Sequence, residues 1–94
     1  MLSFEIRGTV IEWRGPAPFY FVATPPEVTA EIEAIKSAIT YGWGVVPARV
    51  TIGSVTVTTS LIPREGSFYI PLKDALRKPN GIAVGDEIVL ELEV

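Results

Sequence analysis

The chain has 94 residues, 48% hydrophobic and 20% charged, enough apolar material for one core and too little charge for a disordered segment. Eleven acidic against eight basic side chains leave a net charge of −3, the wrong sign for bulk attraction to nucleic acid. Cysteine and histidine are both absent, which excludes disulfides, thiolate nucleophiles, Cys/His zinc sites and Ser-His-Asp catalysis within this sequence. No apolar run approaches the roughly 18 residues that span a bilayer, and Met1 to Arg7 alternates apolar and polar residues, unlike a secretion signal. The expectation is one cytoplasmic domain over 1–94, with no cofactor, no metal and no membrane association.

In chain order, Leu2, Phe4, Ile6, Gly8 and Val10 alternate with polar residues, the period of a long strand with one buried face. Gly15, Pro16 and Pro18 interrupt it, and Phe19 to Ala23 resumes an extended pattern. Thr24-Pro25-Pro26-Glu27 reads as a helix start, with a threonine suited to capping and a carboxylate near the positive end of the dipole. Val28, Ile32, Ile35 and Ile39 then form one apolar stripe, and Gly42-Trp43-Gly44 marks a stop followed by a tight aromatic loop.

Ala48, Val50 and Ile52 alternate up to Gly53-Ser54, which predicts a type II′ hairpin into Val55 to Thr58. Pro63-Arg64-Glu65-Gly66 ends the return strand, and Ser67 to Ile70 begins another. Pro71 is expected in the first turn of a short helix that points Leu72, Ala75 and Leu76 inward and ends near Pro79-Asn80-Gly81. After a turn at Gly85-Asp86, Ile88, Leu90, Leu92 and Val94 alternate with glutamates in a closing strand whose acidic outer face discourages pairing with other chains.

Phe19-Tyr20-Phe21-Val22 before the first helix parallels Phe68-Tyr69-Ile70-Pro71 before the second. A repeated strand-helix unit lets two halves close one barrel by approximate two-fold symmetry. The predicted fold is mainly β with two helices, a small β-barrel with helices covering its ends.

Trp13-x-Gly15-x-x-x-Phe19, Gly42-Trp43-Gly44-x-x-Pro47 and Thr56-x-Thr58-x-Ser60-Leu61-x-Pro63, continued by Gly66-x-x-Tyr69-Ile70-Pro71-Leu72-Lys73 and Arg77-Lys78-x-x-Gly81-Ile82-x-x-Gly85-Asp86, form a set. As a set it resembles the prokaryotic domain of unknown function nineteen-oh-five family over nearly the whole chain. The resemblance implies a double-split β-barrel capped by α-helices and distantly related to the AbrB and MazE domains. Some relatives carry this domain beside a YdeI/OmpD-associated bacteriocin-protection domain. No reaction and no catalytic residue comes with the family. The carboxyl half, from Ile70 to Asp86, resembles the strand-helix-loop-strand of AbrB-like regulators, which bind DNA as dimers. The first unit of this chain instead offers Glu27, Glu31 and Glu33 against Lys36, so that symmetry looks lost.

The candidate ligand-binding residues are Trp13, Arg14, Trp43 and Arg49. Indole rings supply apolar area and an N–H, and guanidinium offers a planar fork to carboxylate or phosphate. Against this, in so small a domain Trp13, Phe19, Phe21 and Trp43 are expected first in core or loop packing, and surface arginines in pairs with carboxylates. For a nucleic-acid interface the candidates are Arg64, Lys73, Arg77 and Lys78, whose ordinary use is a solvated face and the negative end of a helix dipole. Thr51, Thr56, Thr58, Thr59 and Ser60 suit exposed strand faces and cross-strand pairs. Nothing fixes Glu5 with Glu12, or Asp86 with Glu87, at a reactive spacing.

The leading expectation is a non-enzymatic binding or accessory module for a small anionic ligand or a protein partner, monomeric, with contacts from the 13–21 turn and the 42–47 loop. An AbrB-like regulatory nucleic-acid binder comes second, and an enzyme using arginine and carboxylates third.

Overall fold

The computed structural model describes residues 2–13, 19–39 and 46–94, with residues 37–39 described through their backbone alone. Among the described residues, seven strands and two helices follow in the order β1 (Ser3–Thr9), β2 (Ile11–Trp13), β3 (Phe19–Ala23), α1 (Pro26–Ile39), β4 (Val46–Ile52), β5 (Val55–Arg64), β6 (Ser67–Pro71), α2 (Asp74–Arg77) and β7 (Glu87–Glu93). The strands make one antiparallel sheet in the order β1-β7-β4-β5-β6-β3-β2. Consecutive strands β1 and β2 thus lie at opposite ends of the ladder, so the sheet must curl until its ends approach. The result is a half-barrel, mainly β, with two helices. Among the described residues no helix is long and apolar enough to cross a membrane.

The long first strand of the sequence reading is in fact two strands hinged at Val10. The Val10 N–H donates to the Asp86 carbonyl (2.8 Å), and its carbonyl accepts from the Gly85 N–H (2.9 Å). These bonds tie the hinge to the turn that precedes β7, and the alternation runs through the break because Val10 stays buried. Curling brings β1 against β3 at Gly8, where a Cβ would meet Val22 Cγ1 at 2.5 Å, so the closure is built on a missing side chain.

The hairpins form as their turn residues require. Ile52 pairs with Val55 across Gly53-Ser54. Gly53 has φ +60 whereas Ser54 stays at negative φ, the signature of the expected type II′ turn. Arg64 pairs with Ser67 across Glu65-Gly66, both at positive φ as in a type I′ turn. Ile6, Val22, Ile32, Val50, Leu61, Phe68, Ile70, Leu76 and Leu92 are central members of the core. On α1, Val28 and Ile32 face that core as their spacing predicts.

Thr24 is the buried polar side chain among the described residues, and it does not cap the helix it precedes. Its hydroxyl oxygen accepts from the Phe68 N–H at 3.1 Å and lies 2.7 Å from the Thr29 hydroxyl and 3.2 Å from that of Ser67. The Ser67 hydroxyl donates to the Thr24 carbonyl (2.8 Å), so this cluster fastens the start of α1 to β6.

Three further expectations are corrected. Pro71 ends β6 rather than starting a helix; α2 begins at Asp74, Leu76 is fully buried and Ala75 is exposed. β7 lies between β1 and β4, so its glutamates do not guard an edge. The aromatic repeat fails residue by residue, because Phe68 is fully buried while Phe19 is 53% exposed. β3 and β6 are antiparallel neighbours with Val22 opposite Ile70, so the equivalence is displaced by one residue, and one residue exchanges the two faces of a strand.

Candidate functional site

Strand parity places the site. Leu61, Phe68, Ile70 and Val22 point into the core, so their strand neighbours Ile62, Tyr69, Phe19 and Phe21 project from the outer face of β5, β6 and β3. Trp13 joins them through its pairing with Phe19, and Pro71 through its pairing with Phe21. Four of the six large exposed apolar side chains among the described residues, Ile11, Trp13, Phe19 and Ile62, share this face. Such concentration on one side marks a contact surface better than scattered exposure does.

The rings are ordered. Phe21 and Tyr69 stack with centroids 4.5 Å apart at 28°, and Trp13 and Phe19 lie 5.9 Å apart at 31°. Between them, with Ile62, Pro71 and Arg64, runs a groove of about 140 Å³. That volume is on the order of the space one benzene ring occupies. The Arg64 guanidinium carbon lies 5.8 Å from the Trp13 ring centroid, within reach of a cation–π contact. The Tyr69 hydroxyl donates to Glu65 Oε2 at 2.9 Å. That bond holds the phenol above its ordinary pKa, with desolvation and the negative charge of Glu65 acting the same way and Arg64 opposing them.

A second, more open depression of about 640 Å³ adjoins the first across Phe19, Ile62 and Pro71. Its lining adds Tyr20, Thr59, Ser60, Leu72, Lys73 and Asp74. Lys73 Nζ donates to the Thr58 carbonyl at 2.7 Å. Arg77 lies against Tyr20, its guanidinium carbon 4.1 Å from the ring centroid, and donates to Asp74 Oδ1 at 2.8 Å. Lys78 Nζ is 3.6 Å from Asp74 Oδ2. The hydrogen bond from Arg77, then the charge of Lys78, hold the Asp74 carboxyl below its ordinary pKa.

Of the residues singled out from sequence, Trp13 borders the aromatic groove, while Arg14 and Trp43 lie outside the described residues. Arg49 is elsewhere: it sits on β4 opposite Glu93, 3.5 Å from its carboxylate, beside a separate depression of about 250 Å³. Trp13 and Arg49 are therefore not brought together, and among the described residues the cation in the aromatic groove is Arg64. Of the basic residues considered for nucleic acid, Arg64 and Lys73 line the two depressions, whereas Arg77 and Lys78 converge on Asp74. Arg77 is no member of a solvated face, its side chain being 18% exposed.

Trp13 and Phe19, 39% and 53% exposed, lie outside the core, and their rings pack on each other at the surface. Sequence reading missed Ile62, Tyr69 and Pro71. A signal for them existed: 61–62 and 68–70 are apolar on both strand faces, and the curled sheet has a core on only one side. Thr51 and Thr56 do form the expected cross-strand pair, with hydroxyls 2.8 Å apart. Among the described residues no acidic cluster is placed to hold a metal ion.

Comparison with curated proteins and with solved structures found no match. Comparison with protein families did, over nearly the whole chain: the sequence belongs to the family described as Domain of unknown function (DUF1905), whose model matches residues 7–92.

Proposed function

We propose that this domain is a non-enzymatic binding or accessory module whose contact surface is the aromatic outer face of β2, β3, β6 and β5, receiving a small anionic ligand or a protein partner. One observation carries the reading: four aromatic rings border a solvent-open groove with a guanidinium beside them. Aromatic faces give apolar contact at little conformational cost, and guanidinium selects an anion. In this reading the module is cytoplasmic and monomeric, which leaves the face free for its partner.

Charge weighs against a regulatory nucleic-acid role. Asp74 holds Arg77 and Lys78 in ion pairs, so the four basic candidates do not offer one free basic face to a phosphate backbone. Catalysis by a carboxylate has little support, because the displaced carboxyl beside the grooves, Asp74, is shifted down, away from the range of a proton shuttle at neutral pH.

The test is a nuclear magnetic resonance titration of the ¹⁵N-labelled protein with phenylacetate, and with phenethylamine as its cationic counterpart. Phenylacetate is expected to shift the Trp13 indole, Phe19, Phe21 and Tyr69 signals while phenethylamine does not. Shifts scattered over the surface, or none for either compound, would remove the aromatic face as the binding site.

A further inference from the structure

The charges of the outer face carry the argument from a binding site to its occupant. Among the described residues the basic side chains are Arg7, Lys36, Arg49, Arg64, Lys73, Arg77 and Lys78. Five of them stand in ion pairs: Arg7 with Glu87, Lys36 with Glu33, Arg49 with Glu93, and Arg77 and Lys78 with Asp74. Arg64 and Lys73 have no carboxylate within ion-pair distance, in a chain where acidic residues outnumber basic ones by eleven to eight. Those two line the two adjoining depressions, Arg64 the aromatic groove and Lys73 the open one, where Lys73 Nζ donates to the Thr58 carbonyl and the neighbouring Asp74 is held by Arg77 and Lys78. The apolar residues Phe19, Ile62 and Pro71 form the ridge between them.

We propose, resting on the binding-module reading above, that the occupant is an extended acidic segment of a partner protein. One bulky apolar side chain enters the aromatic groove, and flanking carboxylates meet Arg64 and Lys73. The groove is sized for one side chain rather than for a large cofactor. The continuation across the ridge suits a chain that has more to bind than one ring.

The probe is the blocked hexapeptide acetyl-EDFEDL-amide, titrated into the ¹⁵N-labelled full chain. Two controls replace the phenylalanine by alanine, or all four acids by lysine. The acidic phenylalanine peptide is expected to bind at Trp13, Phe19 and Tyr69, and alanine to weaken it by about tenfold, the contribution of one buried ring. Arg64→Gln and Lys73→Gln are each expected to weaken it threefold to fivefold, as exposed ion pairs do, while Lys78→Gln changes nothing. Raising salt from about 0.05 to 0.5 M is expected to weaken it further.

Equal binding of the lysine peptide, or a Kd unmoved by both Arg64→Gln and Lys73→Gln, overturns the proposal. If no peptide binds while phenylacetate still moves the Trp13 signal, the acidic-segment proposal falls and the small-anion reading stands; if phenylacetate fails too, both fall. Sedimentation showing a dimer that Phe19→Ala dissolves assigns the face to a second copy and also overturns it.

Discussion

Gly8→Ala adds one methyl group where β1 closes against β3, and its effect follows from the contact it creates. The backbone at Gly8 lies outside the left-handed region, so alanine meets no dihedral penalty there. The methyl meets Val22 Cγ1 at 2.5 Å, whereas carbon atoms rest at about 3.5–4.0 Å, an overlap of about 1 Å. Val22 has little room to give: it is 1% exposed, branched at Cβ, and held in register opposite Ile70.

Overpacking of this kind costs about 1–3 kcal/mol. Alanine also lowers the entropy of the unfolded chain, which returns about 0.4–1 kcal/mol. At mid-range a net loss of about 1 kcal/mol remains, with an upper end of about 2.5 kcal/mol. With a urea slope near 1 kcal/mol per molar for a small domain, the unfolding midpoint followed by circular dichroism falls by about 1 M, and by at most about 2.5 M, at unchanged slope. Val22→Ala destabilises by leaving a cavity, yet it makes room for the new methyl. The double variant is therefore expected to lose at least about 1 kcal/mol less than the two single losses together. A wild-type midpoint for Gly8→Ala, or strict additivity in the cycle, refutes the close approach of β1 and β3.

Two further outcomes are expected. Thr24→Val keeps the volume but removes the oxygen that accepts from the Phe68 N–H, which costs about 1–3 kcal/mol for a buried donor left without a partner; Thr29→Val spares that bond and is expected to cost less, and equal losses in urea unfolding would count against the hydroxyl cluster. The Asp74 carboxyl is expected to titrate below the ordinary aspartate value in a carbon-detected titration, and Arg77→Gln to move it back up. Because folding depresses this pKa, the stability it contributes is present above the unfolded value and lost as pH falls through the folded one, so wild type and Asp74→Asn converge in acid. An Asp74 midpoint unmoved by Arg77→Gln would show that the guanidinium does not set it.

The core was largely legible from sequence. Ile6, Val10, Val50, Ile52, Leu90 and Leu92 are buried as alternation predicts, and Gly53-Ser54 turns as its residues demand. These features are local, so period and turn chemistry are enough to read them. Helix α2 was misjudged at its start because Pro71 suits a first helical turn and also the end of a strand, and the pairing with Phe21 decides between the two. The candidate site was half legible. Trp13 and Arg64 stood out by type, but the expectation joined Trp13 with Arg49 and put Arg64 on a basic face.

Local order along the chain determined that this protein is mainly β with two helices, and the repertoire of side chains removed thiol and imidazole chemistry. Only the tertiary structure decided which face of each apolar strand is outside. Parity says that Phe19 and Tyr20, or Phe68 and Tyr69, point opposite ways, not which way is inward. That choice rests on strands far apart in sequence: β3 pairs with β6, and the sheet curls until Gly8 reaches Val22. The curl buries Phe68, Ile70 and Val22 in the concave side and leaves Trp13, Phe19, Ile62 and Tyr69 together on the convex one, where Arg64 joins them.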